Sequence, residues 1–565
     1  MKKTHKPIID DSSHVIHWRL NTIVFMIFVA FIILIARISY IQVIQPDHLI
    51  QQSNLRSLRK KTLKSKRGII FDRNGEALAV SVPVLAVWAD PVTIYKNGGL
   101  KEKERWHALA NVLSLDLDSM LKKIANNRTQ RFIYLQRQVS SAMEAYIREL
   151  KLDGIGLSLE SKRYYPSGEV SAHLVGVTGI EGHGLEGVEH SYDKWLTGTD
   201  GNRTIRKDRY GHVVENIGLE KPKAGNQLRL TIDQRLQAIT FRAIKQAMAD
   251  YQATSASAVM LDVKTGAVLA MANAPSYNPN NRSDWLSYKM RNRVITDAFE
   301  PGSTVKPFVV LAALANGTAD EDTVIDTGNG VMRIGGSLVR DSSVVGKATL
   351  QMILKKSSNV GVSHLALSMP LQDMLSMYSA VGLGELSGLN LIGEASGIFP
   401  DRQRWSKFEI ATLAFGYGLS ITPIQLAHAY ATLGNLGEYL PVHLIENDQQ
   451  NIGHQVVEKK YARQVLNMLE SVTQAGGTAV KAAVPGYRIA AKSGTSRKAM
   501  AGGYSDEYFA YTAGVAPLSD PRISLVVMIN EPQGDSYYGG AVAGPVFSEI
   551  MQGALQILNI APDEE

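Results

Sequence analysis

Cysteine is absent from the 565-residue sequence. This absence excludes disulfides, a thiolate nucleophile, thiolate zinc sites and iron–sulfur clusters. The 13 histidines show no HExxH spacing, and the sequence contains no GxxxxGK[ST] phosphate loop. Disulfide scaffolds, the common metalloproteases and P-loop enzymes are therefore excluded. With 45% hydrophobic and 20% charged residues, the chain has the composition of an ordinary globular protein.

The net charge is small, and one segment accounts for it. Lys and Arg total 60 against 53 Asp and Glu, a net charge of +7, and residues 56–67 carry seven cations and no acid. A nucleic-acid-binding domain spreads its basic residues over a face of the fold, so nucleic acid is not expected as a partner. Two interpretations of the segment stay open: a solvated strip beside a membrane, or a contact with anionic lipid or a protein partner.

A run of 17 uncharged residues, 20–36, predicts a membrane-spanning helix. At 1.5 Å rise per residue the run is about 25 Å long. Apolar character continues to residue 44, because the long stem of Arg37 lets its charge reach the interface. A cleaved signal peptide is the alternative, but its apolar region is usually shorter, and an AxA-like cleavage site does not follow here. We therefore expect an uncleaved anchor over residues 20–44.

The orientation of this anchor is indicated by its flanking charges. Basic residues precede it at positions 2, 3, 6 and 19, which favours a cytoplasmic N-terminus. The cations of residues 56–67 argue weakly for the reverse. We expect a cytoplasmic tail over residues 1–19 and about 520 residues outside the cytosol.

The exported part is predicted to divide near residue 221. Residues 45–220 combine a predicted hairpin at Asn74-Gly75 with a charged, helical stretch from about 100 to 150, which predicts an extended scaffold. Residues 221–565 are predicted to be an α+β domain, a five-stranded antiparallel sheet flanked by helices. Its predicted helices are 231–248 and 543–558, and its strands are 256–263, 267–273, 487–494, 509–517 and 523–530.

Three short motifs follow in order in this second domain: Ser303-Thr304-Val305-Lys306, Ser357-Ser358-Asn359 and Lys492-Ser493-Gly494-Thr495. Each is weak alone, because a chain of this length contains about two SxxK strings by chance. Similar strings occur at 57–60, 119–122, 264–266 and 276–278. The first three of these lie in the basic segment, a charged helix and a hairpin turn, so we do not expect them to be catalytic.

Ser303 is better placed than these other strings for nucleophilic chemistry. It follows Pro301-Gly302, and Pro307 fits only near a first helical turn, so a helix is expected to begin within a residue or two of Ser303. Lys306 then shares a face with Ser303. A lysine deprotonates a hydroxyl only when neutral, so its pKa must fall from about 10.4 towards neutrality. Burial and a second cation, for which Lys492 is the candidate, lower a lysine pKa in this way. A purely structural Lys306 is the alternative.

The three motifs and their surroundings resemble the penicillin-binding-protein and β-lactamase superfamily, which uses SxxK, SxN and KTG. The further segments RGIIFDRNG, DVKTGAVLAMANAPSYNPN and FGYGLSITPIQLAHAYATLGN are similar to class B penicillin-binding proteins of the FtsI type, the division transpeptidases of Gram-negative bacteria. The resemblance covers nearly the whole chain. It departs at Ser493, where many members have Thr, although the hydroxyl is retained.

The resemblance implies a D,D-transpeptidase that crosslinks peptidoglycan stem peptides through an acyl-enzyme during septal wall synthesis. In this scheme Ser303 attacks the carbonyl between two terminal D-alanines and Lys306 accepts its proton. Ser357 relays a proton to the leaving D-alanine, and Asn359 bonds the substrate backbone and Lys306. The third motif receives the terminal carboxylate, with roles for Lys492, Ser493 and Thr495, while Gly494 permits close approach. The N–H groups of Ser303 and Thr495 would form the oxyanion hole.

The resemblance also implies partners and a location. Stem peptides ending in D-Ala-D-Ala would be substrates and β-lactams covalent inhibitors, with no cofactor or metal. By analogy with the family, a SEDS-type glycosyltransferase and other division proteins would bind the anchor and the pedestal (dimerisation-type) domain over residues 45–220. The chain would lie in the inner membrane as a single-pass protein with a periplasmic catalytic domain.

Three other functions are compatible with the motifs. A β-lactamase would hydrolyse its acyl-enzyme rapidly, although it typically needs no anchor or scaffold. A D,D-carboxypeptidase would transfer the acyl group to water. A non-catalytic receptor would bind β-lactam or partners, but the intact hydroxyls and both lysines argue against it.

Overall fold

The computed structural model describes residues 17–44, 46–208, 212–402, 404–446, 451–500 and 502–564. Most of the predicted cytoplasmic tail, residues 1–16, lies outside the described residues. In chain order the strands are β1 (Leu58–Leu63), β2 (Ile70–Phe71), β3 (Ala77–Ala89), β4 (Ile133–Ser140), β5 (Ile155–Tyr164), β6 (Gly201–Lys207), β7 (Val213–Glu220), β8 (Leu228–Arg229), β9 (Ser255–Asp262), β10 (Val268–Ala274), β11 (Val324–Asp326), β12 (Val331–Ile334), β13 (Ser337–Arg340), β14 (Lys347–Thr349), β15 (Glu438–Tyr439), β16 (His454–Gln455), β17 (Ala490–Met500), β18 (Gly503–Ala516) and β19 (Ile523–Asn530).

The α-helices are α1 (His17–Ser39), α2 (Pro46–Ser57), α3 (Pro91–Lys96), α4 (Lys103–Val112), α5 (Leu117–Asn126), α6 (Glu144–Glu149), α7 (Ala172–Val175), α8 (Gly187–Ser191), α9 (Asp193–Leu196), α10 (Gln234–Asp250), α11 (Ser287–Met290), α12 (Arg293–Thr296), α13 (Lys306–Ala315), α14 (Leu350–Lys356), α15 (Asn359–Ser368), α16 (Leu371–Ala380), α17 (Lys407–Ala414), α18 (Pro423–Gly434), α19 (Lys459–Thr473) and α20 (Gly539–Ile557). A 3₁₀ turn, Gly302–Val305, leads directly into α13.

By internal contacts the chain divides into two units, residues 1–65 with 199–223, and residues 66–198 with 224–565. In the first unit, α1 and a π-helical turn form one helix, His17–Ile44, of 28 residues, which contains an 18-residue stretch with a mean hydropathy of 2.6. Its side chains are exposed, and it is long enough to cross a bilayer. This confirms the predicted apolar helix. The unit also contains an antiparallel sheet in the order β1-β6-β7.

In the second unit, residues 66–198 carry a small core of their own. The predicted hairpin is confirmed: β2 pairs with β3 across a turn in which Gly75 has φ +87°. Helices α4 and α5 bury residues such as Trp106 and Ile124 in one apolar cluster. The expectation that residues 100–150 are helical was wrong in part, since β4 lies within this stretch and pairs with β3. The β4 sequence alternates Ile133 and Leu135 inward with polar neighbours, which is the period of a strand.

The five-stranded antiparallel sheet predicted for the C-terminal part is confirmed, in the order β10-β9-β19-β18-β17. Helices cover both of its faces. Ser524 on β19 donates to the Ala427 carbonyl of α18, and Thr512 on β18 donates to the Gly539 carbonyl of α20. Thr512 lies opposite Val527, three residues after Ser524, so the two contacts are on opposite faces. The order places β17, the strand of the third motif, at an edge of this sheet.

Candidate active site

The turn that carries Ser303 is fixed by close packing. Gly302 has φ +50°, and a Cβ there would lie 2.5 Å from the Tyr511 hydroxyl, so a side chain has no room. The Thr304 carbonyl accepts a hydrogen bond from the buried Tyr430 hydroxyl at 2.9 Å. Ser303 itself is half-buried and lies in the 3₁₀ turn Gly302–Val305. A helix was predicted to begin within a residue or two of Ser303; α13 begins slightly later, at Lys306, because this 3₁₀ turn precedes it. The nucleophile candidate therefore lies in a closely packed turn at the N-terminal end of the buried helix α13.

Lys306 is fully buried, and its amine is held by the second motif. Its Nζ donates to the Ser357 carbonyl at 2.5 Å and to Asn359 Oδ1 at 2.7 Å, and it lies 3.2 Å from Ser357 Oγ. Ser357 ends α14 in the left-handed conformation, with φ +58°. Ser358 then caps α15, accepting from the Gly361 N–H at 2.8 Å. This break between two helices aims both Ser357 and Asn359 at the lysine.

The third motif supplies a second buried amine. Lys492 Nζ donates to Ser357 Oγ at 3.0 Å and to the Ser493 carbonyl at 3.0 Å. Ser357 Oγ therefore contacts both amines. Burial, and then the charge of Lys492, lower the pKa of Lys306 well below its ordinary value, while the charge of Asp341 opposes that shift. Burial lowers the pKa of Lys492 to about 7. Lys306, three residues after Ser303 in the sequence, is thus held in surroundings that favour a neutral amine, as a base requires.

The rest of the KSGT strand packs tightly against its neighbours. Ser493 Oγ lies 3.2 Å from both the carbonyl and the hydroxyl oxygen of Thr478. The Thr495 hydroxyl accepts from the Gly539 N–H, at the start of α20, at 2.9 Å. A Cβ on Gly494 would lie 2.0 Å from the ring of Tyr511. The glycine is required, therefore, by packing against β18 as well as by any approach of substrate.

Sequence reasoning found the residues of the motifs but missed those that hold them. Asp341, Thr478 and Tyr511 belong to none of the three motifs, and a single sequence gives no spacing signal for them. The other strings behave as expected: Gly266 of 264–266 has φ +76° in the β9–β10 hairpin turn, and Ser119 of 119–122 is exposed on α5. The structure brings Lys306, Ser357, Asn359 and Lys492 into one hydrogen-bonded cluster, one turn after Ser303.

This arrangement suits acyl transfer by a serine, and comparison with known proteins gives it a family. Residues 256–552 match the penicillin binding protein transpeptidase domain, and residues 62–230 match the penicillin-binding protein dimerisation domain. The chain is 50% identical to the peptidoglycan D,D-transpeptidase FtsI of Escherichia coli K12, over 99% of this chain and 95% of that protein. This chain belongs to the FtsI-type peptidoglycan D,D-transpeptidases. The resemblance found in the motifs is confirmed.

Solved structures agree with this FtsI-type assignment. A peptidoglycan synthetase from Bifidobacterium adolescentis is 27% identical with a TM-score of 0.71, covering 90% of this chain and 98% of that one. Penicillin-binding protein 3 of Mycobacterium tuberculosis in complex with aztreonam is 26% identical with a TM-score of 0.68, covering 89% of this chain and 98% of that one. The fold shared with these two proteins therefore extends over about nine-tenths of this chain.

Proposed function

We propose that this chain is a membrane-anchored D,D-transpeptidase in which Ser303 is the acylated nucleophile and Lys306 its base. One observation carries the assignment. Lys306, which lies one turn after Ser303 in the sequence, and Lys492 are both fully buried, and their amines contact the same Ser357 hydroxyl. Two amines this close do not both hold a proton easily. Lys306 is the one whose pKa is lowered by both burial and the other amine, so it is the one free to take a proton from Ser303.

The reaction follows from this arrangement in two halves. Ser303 Oγ attacks the carbonyl of the penultimate D-alanine of a stem peptide while its proton passes to Lys306. The C–N bond then breaks, and the proton reaches the departing D-alanine nitrogen through Ser357, which contacts both amines. An amine of a neighbouring stem peptide attacks the ester, forms the crosslinking amide and returns the Ser303 hydroxyl. Atoms and charge balance without a cofactor.

We propose that the KSGT strand holds the donor peptide. Because β17 lies at an edge of the sheet, an extended peptide fits beside it as an added strand. The terminal carboxylate would lie near Lys492 and the hydroxyls of Ser493 and Thr495, and the N–H groups of Ser303 and Thr495 would form the oxyanion hole, each donor worth about 3–4 kcal/mol. A β-lactam presents a carboxylate and a strained amide, so it would acylate Ser303 in the same position.

The domain boundaries, topology and partners are part of the proposal. We infer that residues 1–19 are cytoplasmic, that 20–44 span the inner membrane, and that the pedestal domain, 45–220, and the transpeptidase domain, 221–565, lie in the periplasm. The apolar helix and the basic residues before it support this orientation. A SEDS-type glycosyltransferase and other division proteins are the proposed membrane partners, by analogy with the FtsI family.

The test is a donor–acceptor assay with the full-length protein in detergent. A stem peptide ending in D-Ala-D-Ala is supplied with and without an acceptor peptide that carries a free amine, and D-alanine and crosslinked product are measured. We expect D-alanine release with product formation, and neither in Ser303→Ala. Ser119→Ala, the serine of another SxxK string, is the matched control and should behave as the wild type.

Each alternative predicts a different result. Release of D-alanine to water, with no crosslinked product when acceptor is present, would identify a carboxypeptidase. Repeated turnover of penicillin, without a long-lived adduct, would identify a β-lactamase. D-alanine release that persists in Ser303→Ala would refute the nucleophile assignment.

A further inference from the structure

Asp341 lies in the segment that joins β13 to β14, outside the three motifs. Its carboxylate accepts three hydrogen bonds from the consecutive residues 358–360, which overlap the second motif (Ser357-Ser358-Asn359, the SSN segment) and continue one residue beyond it. Oδ2 accepts from the Ser358 hydroxyl at 2.6 Å, and Oδ1 accepts from the N–H groups of Asn359 at 2.5 Å and Val360 at 2.9 Å. Both N–H groups lie in the first turn of α15, where helix geometry leaves them without intrahelical partners. A single carboxylate thus holds the start of the helix that carries Asn359.

The same strand end orients the Asn359 side chain. Its Nδ2 donates to the Arg340 carbonyl at 2.9 Å. A carbonyl only accepts hydrogen bonds, so this contact fixes which end of the amide faces β13. The other end, Oδ1, is then left to accept from Lys306 at 2.7 Å. Arg340 and Asp341 together set both the backbone and the side chain of Asn359.

Ser357 precedes this clamp in a conformation that needs support. At φ +58° it is left-handed, which a residue with a side chain keeps only where its surroundings impose it. On its N-terminal side Ser357 is held by α14, whose Leu354 carbonyl accepts from the Ser357 N–H at 3.2 Å. On its C-terminal side the bonds to Asp341 begin at the next residue. The position of the Ser357 hydroxyl between the two amines therefore depends on both anchors.

We propose that Asp341 is a positioning residue of the acylation step, which holds the SSN segment so that Ser357 and Asn359 face the Lys306 amine. This inference rests on the function proposed above. Asp341 acts through the SSN segment and is not assigned a contact with substrate.

The charge of Asp341 has a second, opposite effect that makes the proposal testable. Two charged groups act on the Lys306 amine: Lys492, from β17, lowers its pKa and Asp341 raises it. The hydrogen bonds of Asp341 therefore favour acylation by positioning the SSN segment, whereas its negative charge opposes acylation by raising the pKa of Lys306. Asp341→Asn separates the two effects, because an amide keeps the oxygen that accepts from the α15 N–H groups and loses the charge. Asp341→Ala removes both.

The experiment measures the second-order rate constant for acylation of the full-length protein by fluorescent penicillin, from acidic to basic pH. We expect Asp341→Ala to be slower by about tenfold or more at every pH, the effect of losing hydrogen bonds to a charged group. Asp341→Asn should recover most of that loss, and its acid limb should lie at lower pH than in the wild type. The matched control is Asp326→Asn, an exposed carboxylate on β11 that accepts from the Gly328 N–H at 2.8 Å and should leave rate and profile unchanged.

The outcomes separate this inference from the proposed function. If penicillin labels the wild type and not Ser303→Ala, the proposed function stands, and the rates of the Asp341 variants then test the positioning role of Asp341 separately. A wild-type rate in Asp341→Ala, or an unmoved acid limb in Asp341→Asn, would overturn the inference. If Asp341→Ala does not fold, Asp341→Asn decides through its pH profile, which a purely structural role of the carboxylate would not shift. Labelling of Ser303→Ala would instead refute the function itself.

Discussion

Ser357→Ala removes the hydroxyl that contacts both buried amines. In the wild type its Oγ lies 3.2 Å from Lys306 Nζ and 3.0 Å from Lys492 Nζ. The backbone carbonyl of residue 357, which accepts from Lys306 at 2.5 Å, stays in place in the variant. The substitution therefore deletes the proposed proton relay and leaves the base held by its strongest contact.

The expected magnitude follows from the two lost hydrogen bonds. A bond to a neutral amine contributes about 1 kcal/mol and one to a charged amine about 2 kcal/mol. Together they amount to about 3 kcal/mol of transition-state stabilisation, which is about a 150-fold loss in the acylation rate constant. Because Ala keeps the left-handed strain of this position, Ser357→Gly is the informative companion. Glycine relieves about 1–2 kcal/mol of that strain and also lacks the hydroxyl.

The assay is stopped-flow acylation by fluorescent penicillin, with thermal melting of each variant. Both variants should be slow to a similar extent, although Ser357→Gly should be the more stable one. Ser363→Ala is the control, since it removes a buried hydroxyl of α15 that bonds the Asn359 carbonyl at 2.7 Å and touches neither amine; it should acylate within about threefold of the wild type. Recovery of the wild-type rate in Ser357→Gly would show that the backbone, and not the hydroxyl, is what acylation needs.

Three further predictions concern the amines, the KSGT strand and a buried ion pair. The acylation rate constant of the free enzyme should pass through a maximum with pH. It should fall on the acid side, where Lys306 becomes protonated below its lowered pKa and is no longer a base. It should fall again on the basic side, near pH 7, where Lys492 loses the charge that attracts the substrate carboxylate. Gly494→Ala should destabilise the fold by about 1–3 kcal/mol and abolish labelling, because its Cβ would lie 2.0 Å from the buried Tyr511 ring. Glu189→Gln should cost about 3–5 kcal/mol in thermal or denaturant unfolding, because the fully buried carboxylate sits 2.6 Å from each of two arginines.

Each of these has a matched control and a contradicting result. In the pH profile, Lys492→Arg should move the basic limb upward, and a single limb near the ordinary lysine pKa of about 10.4 would contradict the role of burial. Gly336→Ala, at a turn with open space around it, should be neutral, and an equally stable Gly494→Ala would contradict the packing argument. Glu102→Gln breaks an exposed pair with Arg105 and should cost less than about 1 kcal/mol; an equal effect at Glu189 would show that the buried pair adds little.

Much of the catalytic domain was predictable because its signals are local. Strand β19 is the apolar run 523–530 with the predicted bounds, and α20 begins four residues before the predicted start. Pro307 marks the start of α13, because within a helix proline is tolerated mainly in the first turn. That Lys306 shares a face with Ser303 stays a prediction from their spacing.

The rest depended on contacts that sequence distance hides. Asp341 reaches the SSN segment from 17 residues away, and Thr478 meets Ser493 from 15 residues away, both through tertiary packing. Strand β4 was missed because its short alternation of apolar and polar residues lies between charged helices. Pairing with β3 is what makes this segment a strand. Ser357 adopts a left-handed conformation although it is not a glycine, so the sequence gives no signal of it. Such features follow from the assembled fold and not from residue preference.

The most direct test of the account is to locate the penicillin adduct by mass spectrometry. After reaction and tryptic digestion, the account predicts the added mass on the peptide 294–333, because Lys306 is followed by proline and is not cleaved, and fragmentation should place it on Ser303. An adduct on another residue, or one that persists in Ser303→Ala, would contradict it.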